Sequence, residues 1–217
     1  MKAWREPFLE PEALQLIMRR LMTLDLILCE EKWLRVHRYE PDWLNDAALG
    51  IVDNGAGDDL YVVFAPDGIV IKGFDHHSPL SPHAREDYEV WPGMYEESPE
   101  KLLAYLDRDP DLFDREDVTF CLWRSPDDTH WWTGELEDAE GLDDGSDFLF
   151  GYLLPTPEEY VDWAETYFGK SISFETVCHV YAGGVITGGL VAELNPRRNV
   201  QETLDELKSL GVQTELA

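Results

Sequence analysis

The densest group of reactive side chains lies in Asp75-His76-His77-Ser78-Pro79-Leu80-Ser81-Pro82-His83, where three histidines and one aspartate fall within nine residues. Imidazole and carboxylate together bind zinc or iron, and imidazole moves protons near neutral pH. The spacing matches no established metal signature. On an extended backbone His76 and His77 would point to opposite sides, so the competing reading is a polar turn capped by Asp75. Residues 135–147 hold seven acids in thirteen positions, a composition that suits a hard cation such as calcium. However, neither Asp143-Asp144-Gly145-Ser146-Asp147 nor Asp53-Asn54-Gly55-Ala56-Gly57-Asp58 has the alternating acids and closing Glu of a calcium loop. Trp123, Trp131 and Trp132 resemble an aromatic platform. Two adjacent strand residues face opposite ways, so one of Trp131 and Trp132 must meet a loop, solvent or a partner while the other joins the core. The candidate binding residues are therefore Asp75, His76, His77, His83, Trp131, Trp132, Asp143 and Asp144.

Catalytic patterns are missing. No nucleophile elbow, zinc-protease helix motif or catalytic cysteine context occurs, and the glycines at 183–184 and 188–189 form no phosphate-binding pattern. No cofactor is expected. Cys29, Cys121 and Cys178 are far apart and odd in number, which argues against a disulfide framework and a zinc cluster and for buried thiols in a reducing compartment.

The elements that must position these residues follow from periodicity. Three- and four-residue apolar spacing predicts a helix over Pro11 to Cys29. Trp33 to Tyr39 alternates like a half-buried strand. Apolar runs at Ala48–Val52, Leu60–Phe64 and Ile69–Phe74, joined by two glycine turns, predict an antiparallel meander. Residues 75–97 read as a long ordered loop, and Ser98 as the cap of a helix ending before Asp109-Pro110. Val118–Trp123 and His130–Thr133 form a hairpin around Ser125–Asp128. Thr156-Pro157-Glu158-Glu159 is a capping box opening a helix that Gly169 ends. Phe174–Tyr181 and Val185–Leu194 read as another hairpin, and Asn199 caps a last helix before a short strand at 212–216. The expectation is an α+β fold with an antiparallel or mixed sheet of hairpins and about four helices. It is read as one domain over 1–217, with a small C-terminal subdomain from about residue 155.

Composition bounds the function. The 217 residues are 44% hydrophobic with eight Trp, enough for a full core. The formal net charge is −28, and residues 51–150 hold 26 acids against six bases. Such a field repels phosphate, so nucleic acid and anionic membrane are not expected as partners, whereas basic proteins and cations are attracted. Arg19, Arg20 and Asp25 interrupt the most apolar N-terminal stretch, and no secretory signal is visible, so a cytoplasmic location is expected.

The stretch Ala48–Leu106 resembles the SUKH superfamily of bacterial immunity and regulatory proteins. Asn54, Gly55, Gly57 and Asp58 stand at the family's glycine turn, followed by strands at Leu60–Phe64 and Ile69–Phe74 and a capped helix at Ser98–Leu106. The family's early Leu-Pro segment has no clear counterpart, and the chain after residue 110 lies beyond the resemblance. It implies an α+β domain that binds a partner protein, commonly a toxin, without catalysis. Three functions are thus in view: an acidic, non-catalytic binding protein for a basic partner; a metal-dependent hydrolase using Asp75, His76, His77 and His83; and a charge that serves solubility alone.

Overall fold

The computed structural model describes residues 1–5 and 8–216. The elements run β1 (Lys2–Ala3), α1 (Pro11–Leu28), β2 (His37–Leu44), β3 (Ala47–Asp53), β4 (Asp59–Ala65), β5 (Gly68–Phe74), α2 (Glu100–Leu106), α3 (Pro110–Phe113), β6 (Phe120–Arg124), β7 (Trp132–Thr133), α4 (Ser146–Phe150), α5 (Pro157–Phe168), α6 (Phe174–Tyr181), β8 (Ile186–Thr187), α7 (Gly188–Leu194), α8 (Val200–Ser209) and β9 (Thr214–Glu215). This is the expected α+β fold built of hairpins. No helix among the described residues is long and apolar enough to cross a membrane.

The chain packs as two compact units, one of residues 1–11 and 42–152, the other of 12–41 and 153–217. A seven-stranded sheet in the order β1-β7-β6-β5-β4-β3-β2 organises the first unit. Its centre is the expected meander, in which Ile51 pairs with Tyr61, Tyr61 with Lys72 and Lys72 with Cys121. One sheet face carries Leu49, Ile51, Tyr61, Val63, Val70, Cys121 and Trp123, covered by Leu102 and Leu106 of α2 and Phe113 of α3. Leu60, Val62, Ile71 and Leu122, which alternate with them, are buried as well. Burial on both faces explains why these strands read as continuous apolar runs rather than alternations. Gly73 fits this packing because a Cβ there would run into the ring of Phe120.

The second unit is helical, with α1, α5, α6, α7 and α8 and the short parallel pair β8–β9. The hairpin expected over residues 174–194 is not formed. Phe174–Tyr181 is helix α6, and Val185–Leu194 divides into the two-residue β8 and helix α7. Two caps mark the starts of these helices. The Ser173 side chain accepts a hydrogen bond from Thr176 N, and Thr187 Oγ1 accepts one from Leu190 N. Short β-branched runs suit a strand or a buried helix equally by period.

Three smaller differences stand at element ends. Lys32–Leu34 is a 3-10 turn, and the strand after it starts at His37. Ser98 does not cap α2; Pro99 holds that position and the Ser98 hydroxyl finds no hydrogen-bond partner among the described residues. Only Trp132–Thr133 of the expected 130–133 strand pairs in the sheet.

Candidate functional site

At the end of β5 the chain leaves the sheet in a turn, closed by the hydrogen bond that Ser78 N donates to Asp75 O at 3.0 Å. Asp75 does cap this turn: its Oδ1 accepts from His77 N at 2.9 Å. The turn also changes the outcome for the two histidines. They leave a curved backbone, not an extended one, and their ring centroids lie 3.7 Å apart. Asp75, His76 and His77 thereby bring one ligand atom each within 4.8 Å of one another, the Asp buried and both His exposed.

Asp58, which sequence reading placed only in a glycine turn, completes the arrangement. Its Oδ1 accepts from His76 N at 2.9 Å and lies 2.6 Å from His76 Nδ1. Burial alone would raise the Asp58 pKa, but hydrogen bonds from the Asn54 side chain and from His76 overcome it and hold the carboxyl below its ordinary value. An ionised carboxylate only accepts, so this hydrogen bond is donated by His76 Nδ1.

The acidic loop backs this turn. Ser78 Oγ donates to Asp143 O at 2.7 Å. Gly145 has φ +77°, and a Cβ on it would stand 2.6 Å from Asp75 Oδ2, so only glycine brings the loop this close. Asp143 and Asp144 spend their carboxylates locally, accepting from Gly145 N and Ser146 N, both at 2.9 Å. They adjoin the turn without adding a ligand to it.

The other expected residues lie elsewhere. His83 Nε2 is 2.8 Å from Asp117 Oδ1, and Tyr88 Oη closes the group at 3.0 Å from the same nitrogen. His83 is therefore not part of the Asp75–His77 set. Trp131 is the inward tryptophan. It is 4% exposed, its Nε1 donates to Leu9 O at 2.9 Å, and Phe8 packs edge-on at 5.4 Å. Trp132 is half-buried against the sheet core.

Two buried polar groups escaped sequence reading. In the first unit, Lys72 Nζ in the middle of β5 is 3.4 Å from Asp59 Oδ1 and 5.4 Å from the Tyr61 ring centre. Burial pushes the Asp59 carboxyl up to about 6 despite the ammonium beside it. Burial likewise lowers the Lys72 pKa, with Asp59 resisting. In the second unit, Asp25 Oδ2 accepts from His37 N at 2.9 Å and lies 3.0 Å from Nδ1, while Tyr160 Oη donates to Oδ1 at 2.8 Å. All three are within 1% of complete burial. Burial and then Asp25 raise the Tyr160 pKa far up, so its hydroxyl stays a donor. Sealed from solvent, this triad holds α1 to α5 rather than meeting a substrate. A charge interrupting an apolar run was the available signal in both cases. Two of the three expected buried thiols are buried and made poor nucleophiles by it: burial raises the Cys29 pKa and pushes Cys121 up to about 12, whereas Cys178 is only half-buried.

Beyond the turn, the first unit is a field of carboxylates. It carries thirty Asp and Glu against eight Lys and Arg; the second unit carries fifteen against nine. Between Glu86 and Glu116 ten carboxylates are exposed, with Lys101 and Arg108 as the exposed cations. Lys101 is tied to Asp67 at 3.0 Å, and half-buried Arg115 to Asp107 at 2.7 Å.

No family model, curated protein or solved structure matches the chain.

Proposed function

We propose that this is a non-catalytic docking protein whose acidic first unit engages a basic protein partner, in the manner of bacterial immunity proteins that neutralise a toxin. The observation that carries this reading is the segment between Glu86 and Glu116, with ten exposed carboxylates and two exposed cations. A surface of one sign repels nucleic acid and accelerates encounter with a complementary surface, and the acceleration falls as salt rises. The burial of the Cys29 and Cys121 thiols and the separation of His83 from His76 and His77 both favour binding over hydrolysis.

The test is capture of partners from cell extract on the immobilised chain, followed by association kinetics with the purified partner. The partner is expected to be basic. The quadruple variant E96Q/E97Q/D111N/E116Q is expected to slow association by about tenfold, with the effect shrinking between low and physiological salt. A partner without net positive charge, or association indifferent to salt, would sink the reading. An adjacent gene for a nuclease-like toxin would support the immunity form of it.

A further inference from the structure

We infer that Asp75, His76 and His77 form an open site for one divalent first-row transition-metal ion. Two imidazoles and a carboxylate are a donor set for zinc and for non-haem iron, with coordination positions left for water or a ligand. Ligand atoms within 4.8 Å of one another are slightly wider than the ~3.3 Å separation that tetrahedral zinc–nitrogen bonds imply. Both imidazoles are exposed, so their side chains have solvent to turn through as that gap closes.

Asp58 provides the independent observation. A histidine that ligates a metal through one nitrogen usually donates the other N–H to a carboxylate, which fixes the tautomer and raises ligand basicity. Buried Asp58 lies 2.6 Å from His76 Nδ1 in that way, which leaves Nε2 as the nitrogen to ligate the metal. A turn capped by Asp75 alone needs no such second carboxylate. Asp75 Oδ1 is held by the His77 N–H at 2.9 Å, so the carboxylate ligand is already in place. The excess of carboxylates on the first unit concentrates cations at its surface. This inference is independent of the docking function, since it needs no partner protein.

The experiment titrates Co²⁺ into the purified, chelator-stripped full chain in 0.15 M NaCl, with Zn²⁺ as competitor. One equivalent of Co²⁺ with visible d–d absorption, displaced by Zn²⁺, is expected. His76→Ala and His77→Ala each weaken binding at least about tenfold, and Asp58→Asn weakens it about 10–100-fold. His83→Ala and the neutralised loop E137Q/D138N/E140Q leave it unchanged. Zn²⁺ added to the unaltered chain also shifts the imidazole proton resonances of His76 and His77 and not those of His83, a readout that requires no variant to fold. Co²⁺ uptake without d–d bands, binding unchanged in H76A/H77A, or equal loss in the neutralised loop would each overturn the site and assign the uptake to diffuse surface charge.

Discussion

Lys72 and Asp59 show how a residue can be decisive yet hard to read. Each is costly to bury alone and tolerable as a pair, so removing one member should hurt more than removing both. Asp59→Asn is expected to cost about 3 kcal/mol in denaturant unfolding, whereas D59L/K72M should cost less than that single change. The pH response has a definite sign. Asp59 titrates at about 6 in the fold against 3.8 without it, so the folded state holds the proton more tightly. Its stabilising contribution is complete below about pH 4 and is lost as pH rises through 6. Unfolding free energies at pH 4 and 6 should show this loss in the natural chain and not in D59L/K72M. In the second unit, Tyr160→Phe removes a donor from buried Asp25 and is expected to cost about 1–3 kcal/mol. His76 and His77 were legible as residue types. Their convergence was not, because it depends on the backbone turning at Asp75 and on Asp58, which lies seventeen positions upstream of that aspartate.

At the scale of elements, legibility followed the capping signals. Thr156 and Asn199 cap α5 and α8 as their sequences announce, and the Thr156–Glu159 box is reciprocal in the structure. Thr156→Ala should therefore cost about 1 kcal/mol, read as a shift in denaturant midpoint at constant slope. The meander β3–β4–β5 was equally clear, since two glycine turns fix its register. The failure came at residues 174–194. There Val, Ile and Thr favour strands locally, and the caps at Ser173 and Thr187 are single residues without a Glu three positions on to mark them. Packing of Val177, Val180 and Tyr181 then decided for a helix, as tertiary context commonly does. Ser173→Ala should consequently weaken α6 by about 1 kcal/mol, measurable as faster amide exchange over residues 174–181.

For the whole molecule, the net charge of −28 is a source of self-repulsion as well as of attraction. Raising salt from about 0.01 M to 0.15 M shortens the screening length from about 30 Å to about 8 Å. The melting temperature is expected to rise by about 3 °C across that range, and sucrose at matched osmolality should not reproduce the salt step. The concentration of acids in one stretch was visible in the sequence; the assignment of residues 12–41 to the same unit as 153–217 was not, because no local pattern records which distant segment a helix will join. That assignment sets a timetable for synthesis. Every residue of the sheet unit has been translated once position 152 is reached, so this unit is able to finish folding while the ribosome is still working. Helix α1, with eleven of its eighteen residues destined for burial, is made before most of the sheet unit yet belongs to a unit whose other helices start at Pro157. For more than a hundred codons it is a nascent apolar segment whose own unit is not yet made.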